Sequence, residues 1–558
     1  MTNSIAPLAG LLTLTSDTDS RVSVSVNDGI TTWERDFFDY GRNHSLILLG
    51  FKPKRTNAIT VTIRDRYRNA FTVAQPLSFI TGPLPSGMPT ITLITNYPDL
   101  MEPGYTMFRV GNNTTSASYV TFVDNAGQVV WYSSLLTPSD VHQLTNGDLF
   151  FPLTSTAGFV EANMLGQTVK TWTAPTGYRV DSHEDLITDH GTILYINNTS
   201  RTITNFPTSA TNPNAPKGTS TVNCNRVVEM SATDSTLLNN WSLIDMLDPV
   251  RIDYLPFLLP FYGIDPEHAN AVIDSTNDDS IVVSMRNQDA VVKFTRAGQI
   301  KWILGPHENW GPQWQPYLLT PVGTNFAWQY GQHAPIPTPQ GTWLMYDDGN
   351  CRAEPFAASV PDQKNYSRAV EYRIDETNMT VSQEWEYTGT NTDRLYTDRV
   401  GNASWLAQRG NVLITYGYVL YENGSPPSPY TASATMVRIK EVTHDPIPSV
   451  VFDLELFDPS NTNRSYAGYM VYRSYRVPDL YAHPANPVTD LAAQFADGLP
   501  VLQFSADPVR TYLIQASDDL VNWFDLGAPV ADDDNGDFSF QVETGEGVSA
   551  QFYRVVTE

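Results

Sequence analysis

Residues 290–302 read AVVKFTRAGQIKW: an apolar run, a turn around Gly298, and a second run that closes on Trp302. Valine, isoleucine and aromatic side chains pack well on a pleated surface, and two such runs around a glycine turn read as a β-hairpin. The unit recurs as YVTFVDNAGQVVW (119–131), FVEANMLGQTVKTW (159–172), RVVEMSATDSTLLNNW (226–241), AVEYRIDETNMTVSQEW (369–385) and MVRIKEVTHDPIPSVVF (436–452). Five copies end on tryptophan and the last on Phe452. The tryptophans stand 41, 69, 61 and 83 residues apart, so the loops vary while the unit persists. One such meander cannot bury both of its faces alone, and repetition decides architecture before any local feature. Six copies predict an all-β chain built on a six-bladed β-propeller.

Between the hairpins lies a second repeated piece: DVHQLTNGDLFF around His142, DSHEDLITDHGTILY around His183 and DPEHANAVIDSTNDDSIVVS around His268, then YGQHAPIPTPQGTWLMY around His333 and VGNASWLAQRGNVLITY around Asn402. His183, His333 and Asn402 each precede a turn glycine (Gly191, Gly341, Gly410) by eight positions. In a propeller the innermost strands line the channel, so equivalent positions bring several imidazoles to one axis. The competing reading is that these histidines cap turns.

Working outward, the chain divides into a strand-rich N-terminal block expected to be a β-sandwich (1–100), the propeller (101–483) and a small C-terminal β-sandwich module (484–558). The turn at 532–536 (DDDNG) lacks the full calcium-loop pattern and reads as a solvated turn. The whole has 558 residues, 60 acidic against 34 basic, for a formal charge of −26. That balance opposes an extended nucleic-acid or anionic-lipid footprint, which needs clustered Lys and Arg. Hydrophobic residues at 41% are ample for large cores, and no apolar run approaches the roughly 20 residues of a membrane span. Cys224 and Cys351 allow one disulfide or two free thiols, but no cysteine-based zinc site. The start, MTNSIAPLAGLL, has neither the basic nor the full apolar region of a signal peptide. It leaves two readings, a cytosolic chain or one that begins at a mature end; a texture poor in lysine (8 Lys against 26 Arg) leans towards export.

The strings DPEHANAV, DDSIVVSMRNQDAVVKFTRAGQIKWILGPHENW and YGQHAPIPTPQGTWLMYDDGNCR resemble the bacterial arylsulfate sulfotransferase family. So do the N-terminal PLAGLLTLTSDTDSRVSVSVNDG and the closing segment YRSYRVPDLY at 472–481. The similarity covers about residues 5 to 481; the C-terminal module lies outside it. The resemblance implies transfer of a sulfuryl group from an aryl sulfate to a phenol in the central channel. It also implies that the family's sulfuryl-binding histidines map onto His268 and His333, and its anion-binding arginine onto Arg352. Chemistry agrees with those residue types: a sulfuryl group in flight spreads negative charge over its oxygens, a guanidinium offers a fork to such an oxyanion, and an imidazole donates, accepts or attacks near neutral pH. Asn270, Tyr330, Tyr418, His142 and His183 complete the expected substrate-binding set.

One departure stands out. The family works through a sulfohistidine whose nucleophile lies on a later blade, yet no histidine occurs between His333 and His444. The stretch 414–420, ITYGYVL, offers Tyr416 and Tyr418 instead. His444 falls in an outer hairpin and His483 near the domain end. Four outcomes follow: His333 or His268 attacks sulfur; His142 or His183 replaces the missing group; a tyrosinate at Tyr418 does so against a reference pKa of about 10; or the anion site persists without turnover. The expectation is a sulfotransferase with aryl sulfate and phenolic partners, no cofactor, no metal, no nucleic acid and no membrane insertion, in the periplasm or outside the cell. Assembly through the terminal β-sandwiches stays open. The alternative is a catalytically inactive propeller of the same family acting as an extracellular structural, adhesive or self-assembling protein. A metal site from His142, His183, His268 and His333 is a lesser reading, because no HExxH pair or carboxylate triad accompanies them.

Overall fold

In the computed structural model the hairpin at 290–302 forms as strands Ala290–Thr295 and Ile300–Leu304. The structure describes residues 3–557 apart from 66–68, 113–116, 135–139, 154–156, 182, 256–262, 276–277, 391, 428–434, 458–467, 482–487, 497–498, 507–511, 532–536 and 543–551. The acidic turn at 532–536 and His483 therefore lie outside the described residues. In the hairpin's turn, the Gly298 N–H donates to the Thr295 carbonyl at 2.7 Å and the Thr295 N–H to that of Gln299 at 2.9 Å. Gly298 holds φ at +81°, a region that strains any residue with a Cβ. Ala290, Val291, Val292 and Phe294 are at most 2% exposed, so this strand is covered on both faces, which is why its apolar run does not alternate.

All six expected hairpins form, each at one side of its own antiparallel sheet. Taken by the edge strand at the other side, the first sheet runs from His142–Gln143 to Thr168–Thr173 and the second from Asp185–Ile187 to Leu237–Ser242. The third runs from Ala269–Ser275 to Ile300–Leu304, and the fourth from His333–Pro337 to Thr380–Tyr387, with Thr320–Val322 added in parallel. In the fifth, Gly401–Trp405 pairs with Val412–Glu422, followed by Met436–Val442, Val450–Phe457 and Thr90–Asn96. The sixth joins Tyr469–Val477 to Tyr105–Asn112, Ser118–Val123 and Val129–Ser133. The chain is all-β, with Leu243–Met246 a single helical turn, and no described helix is long and apolar enough to cross a membrane.

Apolar clusters fill the space between successive sheets. Leu194 and Val227 of the second meet Ile281 and Val292 of the third. Val282 and Trp302 of the third meet Met345 and Val370 of the fourth, and Tyr346 and Trp385 of the fourth meet Val412 and Ile414 of the fifth. The recurrent tryptophan has a second use here. The indole N–H of Trp131 donates to the Met164 carbonyl at 2.9 Å, and that of Trp172 to Ala232 at 2.7 Å. Trp241 donates to the Arg296 carbonyl at 2.9 Å, Trp302 to Glu376 Oε1 at 2.9 Å and Trp385 to the Asp445 carbonyl at 3.0 Å. Every acceptor lies in the turn of the next hairpin. Phe452 has no such donor; Arg476 lies over its ring at 5.1 Å and donates to Asn125, in the turn of the first hairpin, at 2.9 Å.

Two compact units result: residues 84–143 with 149–478, and residues 1–83 with 144–148 and 479–558. Thr90–Asn96, inside the block expected to be N-terminal, pairs with Val450–Phe457 and so belongs to the first of these. In the second unit, Gly10–Asn27 and Thr56–Asp65 anchor one sheet. Two further sheets, carrying Leu502 and Phe504 on one and Tyr512 and Ile514 on the other, share a core. Cys224 and Cys351 are both free thiols.

Candidate functional site

The edge strands opposite the tryptophan hairpins carry the residues singled out by spacing. Just ahead of Asp185–Ile187, Asp181 accepts the His183 backbone N–H at 2.9 Å and also bonds its ring Nδ1. Ahead of Ala269–Ser275 the device is repeated: Asp265 accepts the His268 N–H at 3.0 Å and bonds Nδ1 at 2.8 Å. An aspartate two or three residues upstream is the natural partner for such a local turn. The capture holds His268 at φ +46°, strained for a residue with a side chain. The two imidazoles meet edge to face, with centroids 4.9 Å apart.

Tyr472, from the closing strand Tyr469–Val477, brings in the third histidine. Its ring lies 5.8 Å from His183 and 6.3 Å from His333. His333 is buried; its Nδ1 is 3.1 Å from the Gly331 carbonyl, with the Asp348 carboxylate 3.2 Å away. Both carboxylate oxygens of Asp348 are fully buried without a hydrogen-bond partner, and burial raises its pKa well above the carboxylate range. Two buried guanidiniums border the cluster. Arg286 reaches the Asp398 carbonyl at 2.6 Å, with its Nε 3.7 Å from Asp348. Arg473 bonds Asp140 at 3.0 Å, Glu184 at 2.9 Å and the Asn270 carbonyl at 2.8 Å.

These neighbours set the imidazoles apart electrostatically. Burial pushes all three towards the neutral form. In His333, burial, with Arg286 as the next cause, takes the pKa well below its ordinary value. In His268 burial also prevails, partly offset by Asp265. In His183 the charge and hydrogen bond of Asp181 more than offset burial, and its pKa is raised. Adjacent groups pushed in opposite directions are the usual basis for splitting acid and base roles.

Asn270 is in the cluster as a brace: its carbonyl accepts from Tyr472 and Arg473, and its amide donates to the Gln332 carbonyl at 2.8 Å. His142 packs on Tyr475, centroids 5.2 Å apart, with Nε2 3.7 Å from Asp140. Asp140, His142 and Glu184 lie close enough to share a metal ion, but the Arg473 guanidinium already bridges the two carboxylates. Arg352 and Tyr330 gather elsewhere, on Asp347. Arg352 bonds that carboxylate at 3.1 Å, Asn365 at 3.1 Å and the Tyr366 carbonyl at 2.7 Å, while the Tyr330 N–H donates to Asp347 at 2.9 Å. Tyr418 lies under the Arg399 guanidinium, 5.1 Å from its ring centre. Tyr416 is buried, which pushes its phenol far from ionisation. His444 bonds Glu371 and sits between Trp385 and Trp405, in the outer hairpin. At the position where the histidine pattern continues, Asn402 instead ties its strand to the Ser474 carbonyl at 2.9 Å and N–H at 3.0 Å.

Sequence reading missed Asp181, Asp265, Arg286, Tyr472 and Arg473. The Asp–x–His and Asp–x–x–His spacings were a usable signal for the first two. Histidine spacing does not mark the others, although Arg286 lies in the string DDSIVVSMRNQ and Tyr472 and Arg473 open the string YRSYRVPDLY, in a strand that pairs with Tyr105–Asn112.

A family model described as Arylsulfotransferase (ASST) matches residues 69–466. Arylsulfate sulfotransferase AssT of Escherichia coli O6:H1 (strain CFT073) is 27% identical over 313 residues, 48% of this chain and 50% of that protein. The AssT of Lelliottia amnigena is 26% identical over 417 residues, 64% of this chain and 66% of its own. The chain thus spans about half to two thirds of the length of these curated relatives. Among solved structures, a Bacteroides caccae protein of unknown function aligns over 67% of this chain and 98% of its own, at 11% identity and a TM-score of 0.36.

Proposed function

Because the chain belongs to the arylsulfotransferase family, we propose that it moves a sulfuryl group from an aryl sulfate to a phenol at the cluster of His183, His268 and His333. The observation that carries this reading is the convergence of three imidazoles from three different sheets beside two buried guanidiniums. Preorganised donors and cations are what a developing oxyanion needs, and in a site shielded from water they act with little screening. His268 and His333 face the sulfuryl group, with Arg286 and Arg473 setting the positive field. Arg352 acts through Asp347 as a positioning residue. Asn270 braces Tyr472 and Arg473, and His142 packs on Tyr475 beside the Asp140 carboxylate that Arg473 holds. The donor already carries an activated sulfuryl group, so the reaction needs no organic cofactor.

The six sheets are read as the blades of a six-bladed propeller with the imidazoles at its axis. Supporting this are the five indole bonds from one hairpin to the next, and the pairing of strands from both ends of the repeat region in the sixth sheet. The β-sandwiches on either side in sequence and a periplasmic or extracellular location belong to the same proposal. The test is phenol release from a chromogenic aryl sulfate, with and without a second phenol. Acceptor-dependent release that falls at least about 100-fold in His333→Ala is expected. Release indifferent to His333→Ala and His268→Ala, in folded protein, would sink the assignment and return the chain to a structural or adhesive role.

A further inference from the structure

His183 and His268 share a construction that His333 lacks. Each has an aspartate binding both its backbone N–H and its ring Nδ1. With Nδ1–H fixed on a carboxylate, the neutral ring carries its free lone pair on Nε2. Both side chains are 28% exposed, whereas that of His333 is 2% exposed. The two aspartate–histidine pairs are also wired together. Asn198 donates to Asp181, Asn225 donates to Asn198, and the Ala269 N–H, next to His268, donates to Asn225 at 2.8 Å. A strained backbone at His268 and a hydrogen-bonded chain between the pairs are the marks of a centre held in one geometry.

We propose that His268 and His183 work as a nucleophile and acid pair, His268 Nε2 taking the sulfuryl group and His183 serving the phenolic oxygen. The proposal rests on the sulfuryl-transfer reading above. In the first half-reaction the lone pair of His268 Nε2 forms an N–S bond as the S–O bond to the aryl group breaks. The electron pair of that bond leaves on the aryl oxygen, which takes the proton of the His183 imidazolium and departs as phenol. The Asp265 carboxylate balances the positive charge left on the substituted His268 ring. In the second half-reaction neutral His183 accepts the proton of an incoming phenol, whose oxygen forms the new S–O bond. The N–S bond then breaks and its electrons return to His268. Asp181 favours the charged form of His183, whereas burial, partly offset by Asp265, favours the neutral form of His268. Asn402, where the histidine pattern continues, is fully engaged with Ser474 and Ser404.

Two measurements test this. The first uses the unaltered protein: mixed with 4-nitrophenyl sulfate without acceptor, quenched and digested, it is mapped for a sulfuryl-bearing peptide. The adduct is expected on His268; an adduct on His333 or another residue, or none in protein that transfers sulfuryl, overturns the proposal. The second compares single-turnover phenol release in His183→Gln for two donors. Unsubstituted phenyl sulfate, a poor leaving group, is expected to lose about 100-fold or more, and 4-nitrophenyl sulfate less than about tenfold. Equal losses on both donors would assign His183 a merely structural role and overturn its part. No phenol release by the unaltered protein from either donor removes the sulfuryl-transfer reading itself, and the pair with it. Transfer with the wrong adduct or a flat leaving-group dependence removes the pair alone.

Discussion

Glu267, one residue before His268, shows what the chain tolerates to hold its histidines. Its side chain is buried; Oε2 accepts the Asn225 N–H at 2.6 Å and Oε1 has no partner. Burial raises its pKa to about 8, so the folded protein keeps this carboxyl protonated where the unfolded chain ionises it. A raised folded pKa contributes stability that is fully present below the unfolded value of about 4.3 and lost as pH rises through about 8. Glu267→Gln mimics the protonated form and keeps an acceptor for Asn225. Its melting temperature is expected to fall less than that of the unaltered protein between pH 5 and pH 8, measured in parallel thermal scans; identical profiles would remove the protonated carboxyl. The sequence reading found His183 and His333 by their spacing from turn glycines, and His268 by its place in the repeated piece. It did not find their aspartates, because it followed histidines from repeat to repeat and not the residues two or three places upstream. The family resemblance assigned Arg352 to an anion, and nothing in DDGNCR tells that its guanidinium also meets Asp347, Asn365 and Tyr366.

At the scale of the hairpin, one residue type does two jobs, which explains why its recurrence was so legible. Trp131 is completely buried, and its N–H also satisfies the Met164 carbonyl. Trp131→Phe keeps an aromatic ring but leaves that carbonyl unpaired and a small void behind. The expected loss is about 1–3 kcal/mol, read as a shift in the denaturant midpoint at unchanged slope. A loss below about 0.5 kcal/mol would mean that the bond to the next turn carries no weight. Strand pairing and hairpin positions were readable because alternation, turn glycines and terminal tryptophans all pointed the same way. Thr90–Asn96 was not: its seven residues fit any half-exposed strand, and its place beside Val450–Phe457 is fixed by an edge that the local pattern does not reveal.

Across the larger unit, the step from the Phe452 hairpin to the Asn125 turn differs from the others. It is made by Arg476, nearly buried, bonded to the fully buried Glu441 at 2.6 Å and to Asn125. Arg476→Met removes the ring contact and leaves Glu441 buried beside no cation. This change is expected to cost about 3–5 kcal/mol, more than Trp131→Phe, and Glu441→Gln in the same chain should recover part of it. Chemical denaturation of the three variants checks the order; a cost no greater than that of Trp131→Phe would demote the step. The pairing of Tyr469–Val477 with Tyr105–Asn112 has a further consequence, for biosynthesis. A ribosome delivers Tyr105–Asn112 early and Tyr472 and Arg473 hundreds of residues later, and such distant pairings form slowly. Until that final strand is released, His183 and His333 lack the ring that joins them and Asp140 and Glu184 lack their guanidinium. A nascent or prematurely terminated chain that stops before Tyr472 therefore has its histidines without the ring and the guanidinium that complete the cluster.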